Sequence, residues 1–220
     1  MAPARNQGSR NGSPNGTRNG ARKGRAQPQG EPTLLILPYN QHLLSAVYDV
    51  FYRAVHDSCA GDYRPEQLDA WAPPFDRAQG SSFNERLERN YCIVACLSFD
   101  AKDEVGGSMQ VVGYGSLTAQ GHLDHLFVDP LYQRNGIATE LCHCLENVCA
   151  REQHDQISVD ASITALPFFT QMGFSSPVEQ QVTVRGQTFT NYHLTKTIEA
   201  KQSLAQALAA AMAAASAETN

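Results

Sequence analysis

No stretch of this chain approaches the roughly 20 consecutive apolar residues that a membrane-spanning helix needs, which argues against a membrane protein. Its first 30 residues hold no acid, no aromatic residue and, after Met1, no large apolar side chain before Leu34. Such a segment cannot bury enough surface to fold. It also lacks the apolar centre of a secretory signal and the amphipathic face of an organelle transit peptide. Residues 1–31 are therefore expected to form a disordered basic tail. Arg5, Arg10, Arg18, Arg22, Lys23 and Arg25 give residues 1–30 six positive charges and no negative one, so a chain of net charge −5 leaves −11 on the remainder. Without aromatics to stack on bases, the tail is better read as a solvated extension than as a nucleic-acid arm. The acidic remainder serves solubility or favours a cationic substrate such as an amine.

A disulfide framework is missing too. Of six cysteines, Cys142, Cys144 and Cys149 crowd onto one expected helix instead of spreading over loops, so reduced thiols and a cytoplasmic location are expected. Cys144 points away from the other two on a helix, and no metal site is expected.

The 220 residues have room for one domain of about 150–170 residues plus tails. We place the domain at 32–197. Residues 198–220 are Ala-rich with Leu204, Leu208 and Met212 spaced four apart, an expected frayed helix or disordered tail. Within the domain, Thr33–Leu37 reads as a buried strand stopped by Pro38, and Asn40 caps a helix with Val47, Val50, Phe51, Ala54 and Val55 on its buried face. That helix ends at His56 and Asp57. Pro65 opens a short helix through Trp71, and Ser82-Phe83-Asn84-Glu85 has the form of a capping box for a third. Strands are expected at 91–99, 109–117 and 123–128, then a long helix, a strand at 157–161, a short helix at 166–172 and two strands about a turn at Arg185-Gly186. The expected class is α/β with a mixed sheet.

Leu123 to Thr139 carries the chemistry. A strand stops at Pro130, and Gly136 opens a helix whose free N–H groups, from Gln133 to Ala138, can converge on one anion. A nucleotide P-loop would need Lys and Ser or Thr after the second Gly, where Ile137-Ala138 stand. The pattern Gln-x-x-Gly-x-Ala at 133–138, after Leu-Phe-Val-x-Pro, resembles the acetyl-CoA signature of the GNAT superfamily of N-acetyltransferases. Pro-Phe-Phe-Thr-Gln-Met-Gly-Phe at 167–174 resembles that family's closing motif, and the order of elements agrees. His56, Asp62-Tyr63, Gln67-Leu68, Ala70–Pro73, Asp160–Ala165 and Asn191-Tyr192 further resemble the YafP-like branch of bacterial GNAT proteins.

The resemblance implies about seven strands with a splayed central parallel pair, flanked by helices. It implies transfer of an acetyl group from acetyl-CoA directly to the amine of a small molecule, or of a peptide, in a ternary complex, by a monomer or homodimer. The pantetheine arm would use backbone groups of Leu126, Phe127 and Val128, and the diphosphate the N–H groups of Gln133, Arg134, Asn135, Gly136, Ile137, Ala138 and Thr139. Ser162 replaces an Asn common in relatives, and Phe169 stands where the general-acid Tyr is usual. Tyr192 is then the first candidate acid. His56, Asp124, His125 and Asp160 compete as base, with Asp124 and His125 expected on opposite faces of their strand. Asp57, Tyr63 and Trp71 are candidate acceptor contacts. The alternatives are a catalytically silent acyl-CoA-binding or interaction module and an enzyme that docks through its basic arm.

Overall fold

The computed structural model describes residues 32–99 and 108–198; the basic tail and the expected Ala-rich helix lie outside the described residues. Seven strands make one mixed sheet in the order β1-β2-β3-β4-β5-β7-β6. They are β1 Thr33–Pro38, β2 Tyr91–Phe99, β3 Ser108–Leu117, β4 His122–Val128, β5 Gln156–Ser162, β6 Ser175–Val184 and β7 Gln187–Thr197. The helices are α1 Leu44–Arg53, α2 Pro65–Trp71, α3 Arg77–Arg89, α4 Ile137–Arg151 and α5 Leu166–Gln171. Every strand pairing is antiparallel except β4–β5, which α4 joins as a crossover, the connection that parallel neighbours require.

Helices cover both faces of the sheet. Cys142, Leu145 and Cys149 of α4 pack on Leu117, Leu123, Ile157, Val159 and Leu194, and Leu141 packs with Ala95, Val112 and Val128. On the other face Val47, Val50 and Phe51 of α1 and Leu87 of α3 pack on Val94, Cys96 and Tyr114. Two buried thiols, Cys92 and Cys142, are pushed up to about 12 by burial and are chemically quiet.

Three local features depart from the sequence reading. Helix α3 starts at Arg77, not at the Ser82 box, because Asp76 caps it by accepting the Gln79 N–H at 2.8 Å. Ser82 is interior, and its hydroxyl donates to the Gln79 carbonyl at 3.1 Å. After α1 the chain widens into a π turn, Ala54–Ser58, which carries Ser58 toward the loop before α4. Finally, the β3–β4 register passes from Ser116↔His125 to Leu117↔Leu123, leaving Asp124 as the extra residue of a bulge.

Candidate active site

Strands β4 and β5 pair only at His122↔Ser158 and Leu123↔Val159, and then separate. The gap between them runs into a cleft of about 930 Å³ whose walls include β4, β5, the start of α4, the region from α1 to α3, and the β6–β7 hairpin. Asp129 donates its N–H to Val112 on β3, so backbone alternation turns the Leu126 and Val128 N–H groups toward the gap. It also turns the backbone of Phe127 toward β3; a Cβ added at Gly113 would lie 3.1 Å from the Phe127 carbonyl oxygen. Phe127 therefore cannot offer its backbone to a ligand in the gap, contrary to the sequence reading, and serves the cleft with its ring.

At the end of the gap the chain forms a cradle. Tyr132 donates to Asp129, and among the described residues the next backbone bond outside regular elements is Glu140 N–H to Gly136 O at 3.0 Å. The intervening N–H groups at the start of α4 are left for an anion. Arg134 (φ 65°) and Gly136 (φ 79°) are both left-handed, which curls these donors together. A Cβ at Gly136 would meet no atom within 4 Å, so the space in front of it is open to a ligand. The cradle is braced from outside. Gln133 Nε2 donates to Ser58 Oγ at 2.7 Å and to the Val128 carbonyl at 3.1 Å, and Asn135 Nδ2 donates to the Tyr132 and Gln133 carbonyls. Asn135 is thus a brace; its side chain is turned onto its own loop and does not line the cleft. Beneath, Asp129, almost fully buried, is paired with Arg53 at 2.5 Å and accepts the Leu131 N–H.

Away from the cradle the wall is aromatic. Phe51, Phe83, Phe127 and His125 form one connected set, with His125 stacked on Phe83 at 5.6 Å between ring centroids. Trp71 and Tyr63 meet edge to face at 5.6 Å, and both approach Phe189. The Tyr63 hydroxyl donates to Thr190 O and accepts the Ile163 N–H, tying α2's approach to the ends of β5 and β7. The Asp124 bulge overturns the expectation that Asp124 and His125 lie on opposite faces. Both are directed to the α3 side: His125 onto Phe83, and Asp124 onto Arg86, which grips it with two N–H groups, and onto Asn90. Burial alone would raise the Asp124 carboxyl, but Arg86 and the neighbouring histidines outweigh it and hold the group below its ordinary range.

Burial pushes His125 down to about 4, against the opposing charge of Asp124. As pH falls, the unfolded chain therefore takes up a proton near 6.5 that the folded chain refuses until about 4. Stability contributed by a neutral His125 is present above pH 6.5 and declines as the pH falls to 4, by about 3 kcal/mol in all. His125→Phe is expected to flatten this acid limb, checked by urea unfolding at a series of pH values.

Asp160 is the first β5 residue beyond the last pair with β4, and it lines the cleft where the strands part. His193 Nδ1 lies 2.7 Å from its Oδ1. Close by, His122 Nδ1 lies 3.0 Å from Ser158 Oγ. His56 is not part of this group: its ring stacks on Tyr52 and its Nε2 is 2.8 Å from the Ala72 carbonyl, outside the cleft. Asp57 is solvent-exposed and also outside it. Tyr192 pairs with Ala161 and Glu179, on the face opposite Asn191 and His193, so its hydroxyl does not reach the cleft. It donates to Glu179 at 3.3 Å, and that negative charge raises its pKa. Ser162 lines the cleft while its Oγ accepts the Ala165 N–H, and Phe169 lines it with a buried ring.

A family model described as an acetyltransferase (GNAT) domain matches residues 59–196. The chain belongs to the GNAT family. It is 34% identical over 145 residues to the N-acetyltransferase YafP of Escherichia coli strain K12, a match covering 66% of this chain and 83% of that protein. A GCN5-related N-acetyltransferase from Rhodopseudomonas palustris shares 26% identity and superposes with a TM-score of 0.65 over 75% of this chain and 96% of its own. The PaiA N-acetyltransferase of Thermoplasma acidophilum, solved with coenzyme A, has the same fold at 14% identity, with a TM-score of 0.56 over 75% of this chain and 99% of its own.

This GNAT protein is an acetyl-CoA-dependent acetyltransferase, and among the described residues there is no group that could hold a metal ion. The residues fit the cosubstrate: the open space before Gly136 and the free N–H groups suit a diphosphate, and the β4–β5 gap suits an extended arm. Sequence reasoning missed Arg86, His122, His193 and Arg185. Only pairings between distant elements single them out, and nothing in their local sequence does.

Proposed function

We propose that this GNAT protein transfers the acetyl group directly to the amine of a small molecule within a ternary complex. The observation that carries the reading is that the phosphate cradle and the aromatic recess open into one cleft, meeting where β4 and β5 part. Cosubstrate and acceptor then meet without an acylated enzyme. The cysteine lining the cleft, Cys59, supports this, since burial raises its thiol and disfavours the nucleophilic thiolate. Acetyl-CoA supplies the acetyl group as a thioester. The chain supplies an N–H on the open edge of β4, that of Leu126, to the developing oxyanion, and the diphosphate takes the N–H groups from Gln133 to Thr139 with Arg134 beside it.

Of the base candidates, Asp160 is the one we favour. Asp124 is held by Arg86 and Asn90, His56 lies outside the cleft, and His125 is buried with its ring stacked on Phe83, whereas the Asp160 carboxylate is exposed in the cleft where the strands part. Asp160 accepts the proton of the attacking amine and shares it with His193. Phe169 cannot protonate the departing thiolate, which therefore leaves without a side-chain acid. Phe169→Tyr is accordingly expected to raise kcat about 3- to 10-fold, checked by initial rates across pH.

The reading is tested by following thiol release from acetyl-CoA over a panel of small amines and peptides. Turnover with one amine class, with a ternary-complex rate pattern, is expected. Tight cosubstrate binding with no turnover anywhere in the panel would replace it with a silent acyl-CoA-binding module.

A further inference from the structure

The charge at the acceptor end of the cleft differs from that of the chain as a whole: Arg86 and Arg185 there balance Asp124 and Asp160. Among the described residues no glutamate lines the cleft; of its two carboxylates Asp124 is paired with Arg86, and Asp160 lies 2.7 Å from His193 Nδ1. Arg185 lines the same end and makes no ion pair among the described residues. Its guanidinium is held in place by neutral acceptors: NH1 donates to the Ala70 carbonyl at 2.8 Å and NH2 to Gln79 Oε1 at 2.9 Å. Two anchored donors leave other N–H groups of the planar fork free, with no carboxylate paired to them among the described residues. The charge is felt by a neighbour in the wall: burial raises the Tyr48 phenol, and Arg185 opposes that rise.

The backbone beneath Arg185 is strained. Arg185 (φ 45°) and Gly186 (φ 79°) are the two central residues of the β6–β7 turn, both left-handed, in the type I′ arrangement. Asn is the favoured residue at the first of these positions, and an arginine there is retained against its own preference. The strained turn thus delivers a fixed guanidinium, held by neutral acceptors, to a recess walled by Phe51, Trp71, Phe83 and Phe189.

Resting on the amine-transfer reading above, we infer that the acceptor is a ring-bearing amine that also carries a carboxylate, and that Arg185 binds that carboxylate while the aromatic wall takes the ring. The net charge of the body is compatible with solubility or with a cationic amine. The local charge of the cleft favours an amino acid-like acceptor.

Matched pairs test this: L-phenylalanine against phenethylamine, L-tryptophan against tryptamine, and 4-aminobenzoate against aniline. For at least one pair kcat/KM is expected to favour the carboxylated member by about 10- to 100-fold, the range of a charge-assisted Arg–carboxylate contact. In Arg185→Asn, which keeps the turn by placing Asn before Gly, this ratio should fall below about 3-fold, and Arg185→Lys should restore part of it. Circular dichroism melts establish that both variants fold. Calorimetric binding of the same pairs to the CoA-saturated protein gives a second readout. Carboxylate preference in binding, lost in Arg185→Asn, with no turnover of any amine, would sink the transfer reading and support this one. Brisk turnover with a ratio near one in every pair, or a ratio that Arg185→Asn leaves intact, overturns the assignment of Arg185 alone. An absence of preference in both rates and binding overturns it equally.

Discussion

Gly136→Trp should lower kcat/KM for acetyl-CoA by at least about 100-fold, the loss of two or more charge-assisted contacts to the diphosphate. The side chain would project into the open space before the helix, where no protein atom lies within 4 Å of an added Cβ. Because nothing in the fold is displaced, the melting temperature should fall only slightly, by the strain of a non-glycine residue at φ 79°, about 1 kcal/mol. Gly136→Ala separates the two effects. It carries the same strain with little of the bulk, and its kcat/KM should stay within about 5-fold of the parent. If Ala and Trp are equally damaging, strain and not occupancy of the cradle is responsible, and the diphosphate lies elsewhere.

Asp160→Asn carries the second large effect, a drop in kcat of about 100-fold or more, with a much smaller change in KM for acetyl-CoA. Asparagine keeps the shape and a hydrogen bond to His193 but cannot take the proton. The companion variant His193→Gln should reduce kcat less, because it leaves the Asp160 carboxylate in place and removes only its partner. Should kcat in Asp160→Asn stay within a few-fold of the parent across pH, the proton leaves by another route. His122, held by Ser158 in the same part of the cleft, would then be the next group to remove.

These two predictions differ in how far the sequence alone could have reached them. The cradle was legible locally: Gln133 to Ala138 is one contiguous run, and a glycine at a helix start after a proline-stopped strand has few other uses. The order of strands and helices, the parallel β4–β5 pair and the Arg185-Gly186 turn were legible for the same reason, since periodicity, proline stops and turn residues act over a few neighbours. The set proposed for catalysis was not. His56 has the residue type and the position at a helix end that the chemistry suggests, but the π turn after α1 rotates it onto Tyr52 and out of the cleft. Tyr192 is one residue out of phase, and in a strand one residue is the difference between two faces.

The sequence by itself determined the fold, the family and the glycine-opened helix start proposed as the anion cradle, because each is written in residues adjacent or periodically spaced along the chain. Only the tertiary structure decided which side chains share the cleft. A single bulge at Asp124 turned it to the same side as His125 and into the grip of Arg86. A pairing of β5 with β7 set His193 against Asp160, and a hairpin tip brought Arg185 across to Ala70 and Gln79. The overall charge of −5 likewise gave no guide to the cleft, because charge is a sum over the chain, whereas recognition depends on the few groups that packing leaves facing one another.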